Sequence, residues 1–172
     1  MTGQRILVVG GTLLFFLSVG YGLIYDGFLA QHQQRALLYN LDMALNMATK
    51  GDLAMASAFA AQFAAESETM EAQARIPLHL ALAGAMTVIP LWLTPKLDIS
   101  ERMKRIMALF IVTGGAVLAA GDFAKAMMAP AAVGYYMVMA GYGWLALGLA
   151  GYMLYAVLHA WLQTDEPRSR RR

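Results

Sequence analysis

Apolar residues along this chain come in four long blocks, with the polar residues gathered between them. The first block, Ile6 to Tyr25, carries no charge. The second runs from Ile76 to Leu93, the third from Ile106 to Gly121, and the fourth from Ala131 to Leu162. A helix needs about 20 mostly apolar residues to cross a bilayer. The first and fourth blocks meet that length, the second nearly does, and the third does so by borrowing Met103 or Phe123. In lipid each segment must satisfy its own backbone hydrogen bonds, which an open chain does only as a helix. The pattern therefore predicts helical spans over about residues 6–25, 76–93, 104–123 and 132–162. The fourth is longer than a bilayer requires and is expected to tilt or protrude.

Residues 26–75 have a different rhythm. Apolar residues recur at helical spacing, Leu38, Leu41, Leu45 and Ala48 first, then Ala56, Phe59, Phe63, Met70 and Ala74. This is the signature of two amphipathic helices, broken at Lys50-Gly51-Asp52, where Asp52 is suited to cap the second. The expectation is a long extracytoplasmic helical hairpin between helices 1 and 2, projecting roughly 35 Å from the membrane at 1.5 Å per residue. If it is symmetric about Gly51, Arg35 falls near Glu66 and Glu68, and Asp26 near Arg75. The whole chain then reads as one all-α, polytopic integral membrane four-helix domain.

Composition agrees with that reading. Of the 172 residues 59% are hydrophobic and 14% charged, against about 25% charged in ordinary soluble domains. There is no cysteine, which excludes disulfides and thiolate metal sites. The first block is long for the apolar core of a signal peptide and no small-residue cleavage site follows it, so a retained anchor is expected. With four spans, Arg5, Lys96, Arg102, Lys104, Arg105 and the basic tail Arg168 to Arg172 share one side; Arg35, Lys50, Arg75 and Lys125 lie on the other. The positive-inside rule then puts both termini in the cytoplasm, most naturally of a bacterial inner membrane. The tail is placed to touch anionic lipid headgroups. The basic residues are too few and too terminal for a nucleic-acid surface.

Candidate chemistry is sparse. His79 near the start of the second span and His159 near the end of the fourth should differ in depth by most of the bilayer, about 20 to 30 Å. They cannot share an iron, and the hairpin register sets His32 near Met70 rather than His79. His79 is then either a hydrogen-bonded imidazole at the membrane edge or one ligand of a heme b. In the second case a methionine such as Met86 or Met137, two of 13 in the chain, would supply the other ligand, or one position would stay open. The layout of four spans, with His79 opening the second and "LALAGAM" following it, resembles small membrane relatives of the heme-copper oxidase catalytic subunit. The resemblance implies heme ligation by a paired-histidine motif with a downstream glycine. Here Gly84 is the glycine, and Pro77 stands where a second histidine would be.

Asp122 and Lys125, three apart on one helix face, read as an ion pair at the membrane edge with the lysine reaching outward. Gly134, Gly141 and Gly148 form a stripe of small residues along the fourth span, suited to close packing with a neighbouring helix, and "TGGA" at Thr113 to Ala116 offers a matching patch. Glu66, Glu68 and Glu71 make the hairpin acidic, but three acids on a helix do not make a calcium loop. No phosphate loop, nucleophile triad or zinc helix is present. The expected function is non-catalytic: an accessory or assembly subunit of a larger membrane complex, in contact with lipid and docking through the hairpin and the small-residue faces, or self-associating. No cofactor is the first expectation. A small heme-binding protein using His79 is the alternative, and a small-solute or ion transporter using Asp122 and Lys125 the second.

Overall fold

The computed structural model describes residues 2–127 and 131–164 and is all-α within them. Four helical stretches are long and apolar enough to cross a membrane. Helix α1, Gly3–Ile24, passes through one π-helical turn, Tyr25–Leu29, into α2, Ala30–Thr49. Lys50 and Gly51 make the turn, Gly51 with a φ of 80° that only glycine adopts freely. Asp52 caps α3, Leu53–Met86, by accepting from the Met55 N–H at 3.1 Å. A short α4, Val88–Leu93, leads through one 3₁₀ turn and a loop to α5, Glu101–Met127; α6 is Ala131–Thr164. The basic tail and its expected lipid contact lie outside the described residues.

The second apolar block is not one straight helix. Pro77 sits inside α3 without ending it, whereas the helix breaks at Thr87. Proline removes its own N–H and its ring clashes with the carbonyl four residues back. For Pro90 that carbonyl belongs to Met86, the last residue of α3. The Thr87 hydroxyl caps the break, donating to the Gly84 carbonyl at 2.7 Å. At this end of the bundle Tyr152, 1% exposed, donates to the Lys104 carbonyl at 3.2 Å and lies 3.3 Å from the Thr94 hydroxyl. Leu7, Leu97, Met107, Ala108 and Ile111 pack around it.

The most extensive packing is α5 on α6, and the glycine stripe makes it possible. A Cβ on Gly141 would lie 2.6 Å from the Leu118 amide nitrogen, one on Gly134 2.6 Å from the Gly121 carbonyl oxygen, and one on Gly148 2.6 Å from the Ile111 side chain. Gly114 in "TGGA" meets Leu145 and Gly141 in return, while its neighbour Gly115 turns to Ala83 of α3. The stripe proposed for docking is thus buried within the chain, helix backbone against helix backbone.

Two expectations for residues 26–75 need correction. The face of α2 that packs on α3 carries Leu37 and Asn40, both buried; Leu38, Leu41 and Leu45 point away. On α3, Ala56, Phe59, Phe63 and Met70 are partly buried, in keeping with the expected stripe, but Ala74 is exposed. The π turn explains part of the mismatch: its extra residue rotates α2 by about 100° relative to an unbroken α-helix. Hydrogen bonding explains the rest, since Gln33 donates to Gln73 at 2.6 Å and Asn40 to Glu66 at 2.9 Å. Asn40, not Arg35, is therefore the partner of Glu66. Arg75 pairs with Glu71 on its own helix at 2.9 Å, not with Asp26.

The glycine contacts are testable. Gly141→Leu should lower stability by about 1–3 kcal/mol or more through overpacking, read as a fall in melting temperature by circular dichroism in detergent. Gly143→Ala, where a Cβ meets nothing within 4 Å, should leave it unchanged or slightly raised.

Candidate functional site

His79 projects from α3 two residues beyond Pro77. Proline leaves the carbonyl of Gln73 without its helical N–H, and α1 and the π turn support this stretch from the other side: the Ser18 hydroxyl donates to the Pro77 carbonyl at 2.7 Å and the Tyr25 hydroxyl to the Met70 carbonyl at 3.2 Å. From that position the imidazole reaches α5 and α6 together. Its Nδ1 lies 2.5 Å from Asp122 Oδ2, and its Nε2 lies 3.0 Å from the Tyr142 hydroxyl. The His79 and Tyr142 rings meet edge to face with centroids 5.7 Å apart.

Asp122 is 1% exposed. An isolated carboxylate so buried is costly, and here two groups compensate it. His79 takes one oxygen, and Lys125 Nζ stands 3.5 Å from the other. An ionised carboxylate only accepts hydrogen bonds, so His79 Nδ1 carries the hydrogen and donates. Nε2 of the neutral ring then accepts from Tyr142. The expectation of a simple edge pair between Asp122 and Lys125 is corrected on this point: the pair exists, but the carboxylate is buried and its closer partner is His79. Lys125 is 23% exposed, and its ammonium stands 5.6 Å from the Tyr135 ring centroid.

A cavity of about 330 Å³ opens beside the cluster, lined by Glu68, Glu71, Arg75, Asp122, Lys125 and Tyr135 among others. Glu68 and Glu71 thus belong to the same polar region as Asp122. Glu66 does not: it lines a second cavity of about 340 Å³ with His32, Gln33 and Thr69 on the flank of the α2–α3 pair. Gln33 Oε1 there is buried without a hydrogen-bond partner.

The other candidates fall elsewhere. Tyr142 fixes the level of His79 on α6, and His159 lies roughly 25 Å further along that helix at 1.5 Å per residue. Among the described residues no group of three or more histidines and acids is close enough to hold a metal ion. The nitrogen through which His79 would bind a heme iron is Nε2, because Asp122 holds Nδ1. Tyr142 occupies Nε2, so the residues as arranged offer a heme no open ligand there.

The link between His79, Asp122 and Tyr142 is not among the sequence expectations. A signal was present. Alternating helix directions set the start of the second span and the end of the third at one level, which brings His79 and Asp122 together. No family model matches the chain, and comparison with curated proteins and with solved structures finds no match. The functional reading therefore rests on the residues themselves.

The cluster carries a measurable coupling. His79→Ala leaves Asp122 with Lys125 alone and should cost about 1–3 kcal/mol. A double-mutant cycle of His79→Ala with Asp122→Asn should return a coupling of about 0.5–3 kcal/mol, measured by denaturant unfolding in detergent. A coupling near zero would show that the contact carries no energy.

Proposed function

We propose that the chain is a polytopic integral membrane protein acting as a non-catalytic accessory or assembly subunit of a larger membrane complex. Support for membrane insertion comes from apolar surface. Between 22% and 50% of each span's most apolar window is buried within the chain, so most of those side chains need an apolar solvent. Lipid supplies it, and the charge bias supports a topology with Arg5 and the α4–α5 loop on the cytoplasmic side, as in a bacterial inner membrane, and the α2–α3 hairpin outside.

The observation that carries the docking role is the stripe Leu38, Leu41 and Leu45 on α2. Leu38 is 67% and Leu45 61% exposed. These leucines lie among Gln34, Arg35, Asp42 and Asn46, on a helix too polar for lipid. An apolar stripe on an otherwise polar helix marks an interaction surface, and the i, i+3, i+7 spacing fits a helix laid alongside. The fitting occupant is an amphipathic extramembrane helix of another subunit anchored in the same membrane.

Two measurements test this reading. The chain lacks cysteine, so Lys50→Cys and Arg102→Cys give single reporters. An impermeant maleimide added to intact cells should label the first and not the second; equal labelling overturns the topology. For docking, Leu41→Glu with Leu45→Glu should release the chain from a stoichiometric complex isolated in mild detergent, with helicity unchanged. A wild-type chain that is monomeric in native-membrane nanodiscs would overturn the accessory role.

A further inference from the structure

The docking role makes no use of the cavity of about 330 Å³ beside Asp122 and Lys125. Its size is within the range of small-ligand sites, about 300–1,000 Å³. Helices α3 and α6 both pack on α5, and all three contribute to its wall. We propose that it holds the headgroup of a zwitterionic phospholipid with a primary ammonium, the chemistry of phosphatidylethanolamine. The proposal rests on the membrane reading of the bundle.

The argument turns on the order of charges along the bundle. Helices α3 and α5 run antiparallel and meet at His79 and Asp122. Counted outward from that contact at 1.5 Å per residue, Lys125 stands about 4.5 Å out, Arg75 about 6 Å, Glu71 about 12 Å and Glu68 about 16.5 Å. The two cations therefore share an inner level and the two glutamates an outer one. The inner level is also the border of the apolar blocks, since Arg75 directly precedes Ile76 and Lys125 lies just beyond Gly121. A phospholipid of the outer leaflet presents charge in the same order, phosphate nearer its chains and ammonium nearer water.

Both levels have hydrogen-bonding capacity to spare. The Lys125 ammonium has three donors and stands 3.5 Å from one Asp122 oxygen. Arg75 gives one nitrogen to Glu71 at 2.9 Å, out of five N–H donors in a guanidinium. Glu68 has no hydrogen bond or ion pair among the described residues. A lone anion would meet the glutamates as well as the cations. A lone cation would leave the Lys125 donors unused. A phosphate joined to a primary ammonium matches both levels, and its N–H groups donate to carboxylates as a quaternary ammonium cannot. Further in, the cavity faces of α3 and α6 continue through Leu82, seven residues past Arg75, and Met139, four past Tyr135. Both are exposed and offer apolar surface to the acyl chains.

The test is native mass spectrometry of the full chain in mild detergent, titrated with phosphatidylethanolamine, phosphatidylcholine and phosphatidylglycerol of identical chains. The first should bind about tenfold more tightly than the others. Glu68→Gln with Glu71→Gln should remove that preference while leaving phosphatidylglycerol bound as well or better. Both glutamates are exposed, so helicity should be unchanged, which keeps the test open where Lys125→Gln folds poorly. Lys125→Gln should weaken all three lipids about tenfold. Soluble phosphoethanolamine at equal concentration should not displace the lipid; displacement would assign the site to a free phosphate ester and overturn the lipid source. Equal binding of the three lipids, or a preference unmoved in the double glutamate variant, would overturn the proposal. Such a failure concerns lipid choice alone, whereas failure of the membrane topology is read from the maleimide labelling.

Discussion

A carboxylate buried among apolar helices has to find compensation, and in this protein that requirement decides how three helices meet. Asp122 on α5 is almost wholly buried. It is tolerable there because α3 brings His79 to one oxygen and its own helix brings Lys125 to the other. The imidazole is held in turn by Tyr142 of α6. Sliding any of these helices by one turn, about 5.4 Å, would strand a charge or a ring nitrogen in an apolar interior. Dispersion contacts between smooth apolar helices resist such sliding weakly. The polar cluster therefore acts as the register mark of the bundle.

The glycines set the distance at which that mark can be read. Tyr142 follows Gly141, whose backbone lies against Leu118 of α5, one turn from Asp122. Side chains at Gly141 or Gly134 would push α6 outward and carry the Tyr142 hydroxyl away from His79. Close backbone approach and the hydrogen-bonded cluster are thus two parts of one arrangement. Small residues permit contact at many registers, and the polar residues select among them.

Much of this could be read from the chain alone, for physical reasons that also explain the failures. Long apolar blocks such as Ile6 to Tyr25 have few ways to satisfy their backbone, so the four long helices were legible. The turn at Gly51 was legible because positive φ favours glycine. The partner face of α2 was not. Periodicity shows that Leu38, Leu41 and Leu45 share a side, but not what lies on that side. The π turn at Tyr25–Leu29 has no reliable signal in composition, and it changes the phase of everything after it. The depth argument that separated His79 from His159 applies equally to His79 and Asp122, where it predicts contact.

The exposed apolar surface divides into two kinds, and the division bears on what the molecule does. Around the bundle, residues such as Phe16, Leu23, Val133 and Leu147 are exposed among other apolar residues, as lipid-facing positions should be. On α2 the exposed leucines sit between charges and amides, in surroundings that suit water. Lipid cannot cover the second set without also taking in Arg35 and Asp42. A protein surface can, because it matches polar and apolar patches residue by residue. On the proposed reading the two kinds of surface have two kinds of neighbour, a bilayer for the bundle and a partner helix for the hairpin. Two continuous helical runs, residues 3–49 and α3, join the hairpin to the bundle, so the two surfaces are held on one rigid frame.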